Sequence, residues 1–374
     1  MGEPSPVLPD YEGAGIAQLL PALMAQPGSR PGWLPSPLAK ARQIVLVVVD
    51  GLGWHQLEQR WELAPAMRSM TALPITSVAP TTTATALTSI VTGSPPAAHG
   101  IVGYKIRITG PTGDEVLNVL RWRTPSGDAR EFAPPESFQT KPAFGGRAVP
   151  VVSRTEFDGS GFSLAHQDAA PLVSWTVASS IAVDVQRLLE AGEDLVYVYY
   201  DGIDRVAHAK GFGAHYDAEL AAVDRLLGDL ASVLPAGAAL AVTADHGQVE
   251  VGERAQPLDL RVLADVALIS GEGRFRWLHA SPGRTGEVRR AAEERYGHEA
   301  WVVSFEQAEA ELWFGGSLDA VARARVGDVA IVAHQPVAYL DPEDQAGGHR
   351  GPPMVCRHGS LTAEEMWVPL LACG

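Results

Sequence analysis

The stretch Ile44-Val-Leu-Val-Val-Val49-Asp50-Gly51-Leu-Gly53 decides the fold. Six β-favouring apolar residues follow one another with no polar break. Alternation would mark a strand with one wet face. Its absence marks a strand buried on both faces, as in a parallel sheet covered by helices. Two further runs read the same way, Leu195-Val-Tyr-Val-Tyr-Tyr200 and Ala239-Leu-Ala-Val-Thr243. A fourth, Met366-Trp-Val-Pro-Leu-Leu371, carries Pro369 and is expected at a sheet edge or a strand end, because proline cannot donate to a ladder. Helical patterns over 83–91, 174–190 and 217–234 separate the runs. Strands alternating with helices of this length predict a doubly wound α/β fold, with a mostly parallel sheet flanked by helices.

Outside this frame the composition changes. Residues 1–40 are rich in Pro and Gly around one amphipathic stretch, 16–24, and read as an N-terminal arm laid over the surface. The main domain is expected over 41–374. Within it, 104–165 has many Gly, Pro and polar residues, with short strands expected at 105–108 and 116–122. Residues 270–325 read as a small βαβ-type unit, with elements at 274–280, 286–296 and 301–304. Both regions are expected to be insertions that roof the carboxyl ends of the main strands.

The 374 residues carry a formal net charge of -15. Such a field repels nucleic acid and anionic membranes, so neither is expected as a partner. The longest purely aliphatic run, 44–49, is far too short to span a bilayer. Two cysteines, Cys356 and Cys373, exclude a disulfide scaffold and suit a reducing compartment. No cationic start followed by a long apolar run occurs in residues 1–42, and a cytoplasmic protein is expected. Oligomeric state leaves no signal in the sequence.

Several chemistry-bearing residues fall at the ends of the buried runs, where a doubly wound sheet forms its ligand crevice. Asp50 directly follows the first; taken alone, it could equally cap the next helix. Asp245 and His246 end another, and supply an oxygen and a nitrogen ligand of the kind zinc accepts. Asp204 and His208 follow Tyr200 and lie one helical turn apart, so both can face one point; Asp201 competes as a ligand. His358 precedes the fourth run, with Cys356 two residues before it read as packing. Thr83 lies at a helix start behind Pro80-Thr-Thr, where the N-terminal field favours an alkoxide and an approaching phosphate. A plain helix cap is the alternative for Thr83. Three acids, three histidines and one hydroxyl, most at strand ends, are hard to explain by packing alone.

The order of these residues resembles the alkaline phosphatase superfamily, and within it the type I phosphodiesterase/nucleotide pyrophosphatase branch. The likeness runs through Asp50, then Thr83 ahead of Ile90-Val-Thr-Gly93 and His99-Gly-Ile101, then Asp204-x3-His208, Asp245-His246-Gly247 and His358-Gly359. It covers the chain from about residue 43 onward, and the combined motifs are highly specific. The resemblance implies two zinc ions, one held by Asp204, His208 and His358, the other by Asp50, Asp245, His246 and the oxygen of Thr83. It implies a two-metal phosphoester hydrolase acting on a small phosphate ester or nucleotide, with Thr83 attacking phosphorus to form a phospho-threonine that water then cleaves. At Ala86, three residues after Thr83, relatives usually carry Asn. Asn118 is taken as the substrate-binding candidate in its stead, with Lys105, Arg121 and Lys141 beside it.

Other readings within the superfamily are a phosphate monoesterase or a phosphonate hydrolase. A cofactor-independent phosphomutase shares the Asp50-Gly-x-Gly53 opening, but its serine nucleophile context is not evident. A non-catalytic nucleotide-binding relative is the alternative of another class, and all seven ligand positions being filled by competent residues speaks against it.

Overall fold

The structure is a computed structural model describing residues 4–111, 113–167, 170–342 and 354–374. Among these residues the frame is a seven-stranded sheet. Its strands, in chain order, are β1 (Gln43–Val49), β2 (Thr71–Thr76), β3 (Val151–Arg154), β4 (Leu172–Trp175), β5 (Leu195–Tyr200), β6 (Ala238–Thr243) and β7 (Trp367–Cys373). Across the sheet they lie in the order β2-β7-β6-β1-β5-β3-β4. The five strands from β6 to β4 pair in parallel, and β7 is antiparallel to both its neighbours. Every residue from Ile44 to Val49 is buried, as an unbroken apolar run at the centre of such a sheet requires. The mostly parallel doubly wound architecture is therefore the one the chain adopts.

The helices that matter for the site are α1 (Ile16–Met24), α2 (Thr83–Thr92), α3 (Ile181–Glu190), α4 (Gly202–Lys210) and α5 (Ala214–Ser232). Some elements depart from expectation. The helix predicted over 174–190 begins only at Ile181, because Ser174 and Trp175 finish β4, paired in parallel with β3. The N-terminal stretch is no surface dressing. Ile16, Leu19, Leu20 and Leu23 are buried in the main core, and Gly15 bridges Thr76 of β2. α1 lies so close to the end of α2 that a Cβ on Gly93 would sit 2.6 Å from Pro21 Cγ, and Gly93 also has φ +59. Only glycine meets both demands without strain.

Pro369 is not in an edge strand, since β7 has a neighbour on each side. The pairing with β6 involves only Leu371 to Cys373, so at Pro369 the single partner is β2, where Pro74 stands opposite. Two residues without N–H groups face each other where no ladder bond is lost.

Among the described residues two four-stranded sheets and two two-stranded ones accompany the main sheet. Lys105–Gly110 and Gly113–Asn118 form a hairpin extended by two short strands. The second expected strand stops at Asn118, and Trp122 turns the chain with φ +52. In the other four-stranded sheet, Phe275–Ala280 and Ala300–Ser304 flank Val329–Ala333, antiparallel to both, with the helix Thr285–Tyr296 as the crossover. The expected βαβ unit is thus split by a strand that lies beyond its predicted end, and Val266–Glu272 adds a fourth strand. The core role of α1 gives a stability prediction. Leu19→Ala, at a fully buried position, should cost about 2–5 kcal/mol in urea unfolding.

Candidate active site

β6, β1 and β5 lie side by side with Val48 opposite Thr243 and Val49 opposite Tyr200, so their carboxyl ends stop level. The residues that leave those ends therefore meet. Asp50 is nearly fully buried; its Oδ2 accepts from the hydroxyl of Tyr199, and its Oδ1 has no partner. Asp245 is fully buried; Oδ1 accepts from the N–H groups of Gly51 (3.1 Å) and His246 (3.0 Å), and Oδ2 has no partner. Asp50 Oδ1 lies 3.5 Å and Asp245 Oδ2 3.4 Å from His246 Nε2. Thr83 is the first residue of α2, and its Oγ1 is 3.2 Å from the same nitrogen. Asp50, Asp245, His246 and Thr83 thus converge on one point.

A second group adjoins the first. Asp204 and His208 sit one turn apart in α4, with Asp204 Oδ1 3.2 Å from His208 Nε2. His358 Nε2 is 4.0 Å from Asp204 Oδ1, and its ring stacks on that of His246 at 3.6 Å between centroids. Donor atoms of Asp204, His246 and His358 all lie within 4.8 Å of one another, as do those of Asp50, Asp245 and His246. His246 therefore stands between both groups, a sharing that the sequence did not suggest.

Each histidine is tied at Nδ1 to a backbone carbonyl: His208 to Cys356 (2.7 Å), His246 to Gly247 (3.1 Å) and His358 to Thr81 (2.8 Å). A carbonyl can only accept, so each Nδ1 carries a proton and each Nε2 is left facing the carboxylates. Metal-ligating histidines are fixed in this way.

Charge in the site is unbalanced by protein groups alone. Burial, with Asp245 and Asp204 nearby, holds the Asp50 carboxyl well above its ordinary range. Burial also raises Asp245, against the pull of His246. Burial opposes ionisation of Asp204 too, but His208 and His358 outweigh it and hold that carboxyl low. His358 is pushed well below the usual imidazole value by burial and by His246. Two orphaned carboxylate oxygens, three oriented imidazoles and one hydroxyl make a donor set that fits divalent cations of the zinc type.

Sequence reasoning missed several supporting side chains. Tyr199 holds Asp50, and Gln248 Nε2 donates to Asp204 Oδ1 at 2.8 Å. Glu272, whose pKa burial raises to about 8, lies 3.7 Å from His358 Nδ1. Tyr199 could have been suspected as a polar tip in an otherwise apolar run; Gln248 and Glu272 carry no comparable signal. Asn118 is engaged inside its own hairpin, donating to Tyr104 Oη at 2.6 Å and accepting from Arg121 N at 3.0 Å. Trp122 is buried with its Nε1 on the Ala133 carbonyl, so it packs and offers no stacking face. Burial pushes the Cys356 thiol up to about 12, which disfavours the thiolate a metal would need.

A doubly wound sheet with this cluster at its strand ends defines an enzyme fold of the alkaline phosphatase type. The chain belongs to the type I phosphodiesterase/nucleotide pyrophosphatase family, which it matches over residues 44–360. Membership supports phosphoester hydrolase activity. Among solved structures, phosphonoacetate hydrolase from Sinorhizobium meliloti in complex with phosphonoformate shares the fold with a TM-score of 0.67 and 20% identity, covering 89% of this chain and 90% of that one. Murine ectonucleotide pyrophosphatase/phosphodiesterase 5, an inactive variant in complex with AMP, gives 0.65 and 17% identity over 89% and 88%. A 2,3-bisphosphoglycerate-independent phosphoglycerate mutase from a Ruegeria species is 33% identical over 108 residues, which span 29% of this chain and 21% of that enzyme. No helix among the described residues is long and apolar enough to cross a membrane.

The support of Asp50 is open to test. Tyr199→Phe, which removes one hydroxyl and keeps the ring, should weaken divalent-cation affinity about 10- to 100-fold in isothermal titration calorimetry.

Proposed function

We propose that the chain hydrolyses phosphodiester or nucleotide pyrophosphate bonds through a phospho-threonine formed on Thr83, at a centre of two divalent cations. The observation that carries this reading is Thr83 Oγ1, set 3.2 Å from His246 Nε2 beside the orphaned oxygens of Asp50 and Asp245. Asp50, Asp245, His246 and Thr83 would hold one ion, and Asp204, His208 and His358 the other, with zinc favoured by the N/O donors. When bound, such ions neutralise phosphate charge and lower the pKa of a coordinated hydroxyl.

The chain's own groups supply the rest. Thr82 makes no side-chain cap on α2, so the first N–H groups of that helix are left to an incoming anion. Attack by Thr83 Oγ1 on phosphorus forms the threonine ester while the bond to the leaving alcohol or phosphate breaks. Water then cleaves that ester, releases the phosphoryl product and restores the hydroxyl. Residues 41–374 form the catalytic unit in this reading, with 104–165 and 270–325 roofing the site and selecting the leaving group. The unbridged thiols Cys356 and Cys373 favour a cytoplasmic setting.

Two measurements decide the matter. On bis(p-nitrophenyl) phosphate, Thr83→Ala should lower kcat by about 10⁴-fold or more. Chelation should abolish turnover, and added zinc should restore it. Activity surviving both treatments refutes the mechanism. A comparison of diester, monoester and phosphonate substrates by kcat/KM should place diesters first.

A further inference from the structure

Arg274 and Glu365 are each fully buried, and neither belongs to the donor set. Their ion pair is bidentate, Nε to Oε1 and Nη2 to Oε2, both 2.8 Å. Arg274 sits in the turn between Val266–Glu272 and Phe275–Ala280 of the smaller sheet. Its remaining donors reach the carbonyls of Gln335 and Val337 at 2.8 Å and of Ala333 at 3.3 Å. The guanidinium is thus satisfied by Glu365, by the end of the Val329–Ala333 strand and by the segment that follows it.

Glu365 belongs to the other side, just ahead of β7, and all its bonds beyond Arg274 go to segments bearing site residues. Oε1 accepts from Ser360 N at 2.9 Å, Oε2 from Thr362 Oγ1 at 2.7 Å, and its carbonyl from Gly247 N at 2.9 Å. Gly247 follows His246. Ser360 passes the constraint on, since its carbonyl accepts from Thr81 Oγ1 at 2.7 Å and its hydroxyl donates to the Ala333 carbonyl at 2.6 Å. Thr81 in turn accepts from Gly359 N at 3.0 Å through Oγ1, and from His358 Nδ1 at 2.8 Å through its carbonyl. Two residues further on stands Thr83.

An ion pair removed from water is weak evidence for stability, because well-packed apolar residues of like volume do as well or better. What apolar residues cannot do is fix the rotation of a loop through directed bonds at both oxygens. We infer that Arg274 and Glu365 are positioning residues: they dock the smaller sheet onto the 358–366 segment and thereby set the places of His358, His246 and Thr83 at once. The inference rests on the two-cation reading of the site.

Arg274→Met/Glu365→Leu separates positioning from stability. The double variant should fold with a natural far-UV spectrum, at a lower melting temperature because Ser360 N–H and Thr362 Oγ1 lose their acceptor. Its affinity for zinc, measured by calorimetry on metal-stripped full-length protein, should nevertheless fall at least tenfold, and kcat should fall by more than KM changes. A folded double variant with natural zinc affinity and kcat overturns the inference. If that variant does not fold, Arg274→Lys decides, since it keeps the charge and loses the fork. At least a threefold loss of zinc affinity is then expected, and an unchanged value overturns the inference. A natural chain that binds no zinc at all refutes the two-cation reading itself, and this inference with it.

Discussion

Three carboxylates, Asp50, Asp204 and Asp245, share one end of a parallel sheet from which water is nearly excluded. Desolvation opposes charging all three, repulsion from neighbouring carboxylates adds to it at Asp50 and Asp245, and only at Asp204 do the histidines outweigh it; among the described residues no lysine or arginine is bonded to any of the three. A packed core has no use for such a cluster. The other features of the region answer to it: Tyr199 donates to one acid, Gln248 to another, and three histidines are pinned so that Nε2 faces inward. The uncapped start of α2 then brings Thr83 to the same place. Level strand ends make this possible, and that levelness follows from the parallel register of β6, β1 and β5.

That register explains why much of the fold and site was legible in sequence. A strand buried on both faces leaves an unbroken apolar run, and the acid just after it is marked by position alone. β3 and β4 lacked this mark, having four residues each, with Arg154 and Ser174 among them. Ser174 and Trp175 read as helix because the amphipathic period of α3 runs back through them, until pairing with β3 overrides it. α1 looked like surface dressing because its Pro- and Gly-rich flanks conceal how deeply Leu19 and Leu20 sit.

Side chains that support the donors were hardest to foresee. The bond between His358 and Thr81 closes 277 residues of chain, and that between Thr83 and His246 closes 163. Spacing in sequence carries no trace of such closures. Arg274 and Glu365 look like ordinary surface charges until the smaller sheet is docked, when each becomes the other's counter-ion in a dry contact. Asn118 shows the converse: chosen as a polar residue of the insertion, it is occupied by Tyr104 and the Arg121 backbone of its own hairpin.

The place of β7 has a consequence for synthesis. This strand is the last in the described chain, yet it lies between β6 and β2. Until it emerges from the ribosome, β6 has an open edge and β2 has no partner in the sheet. Non-local closures of this kind come late in folding. His358 precedes β7 by only a few residues, so a nascent chain can bury its central strands while its chemistry is still unassembled. On the proposed two-cation reading, a product stalled before His358 would lack one of its donors as well as its last strand.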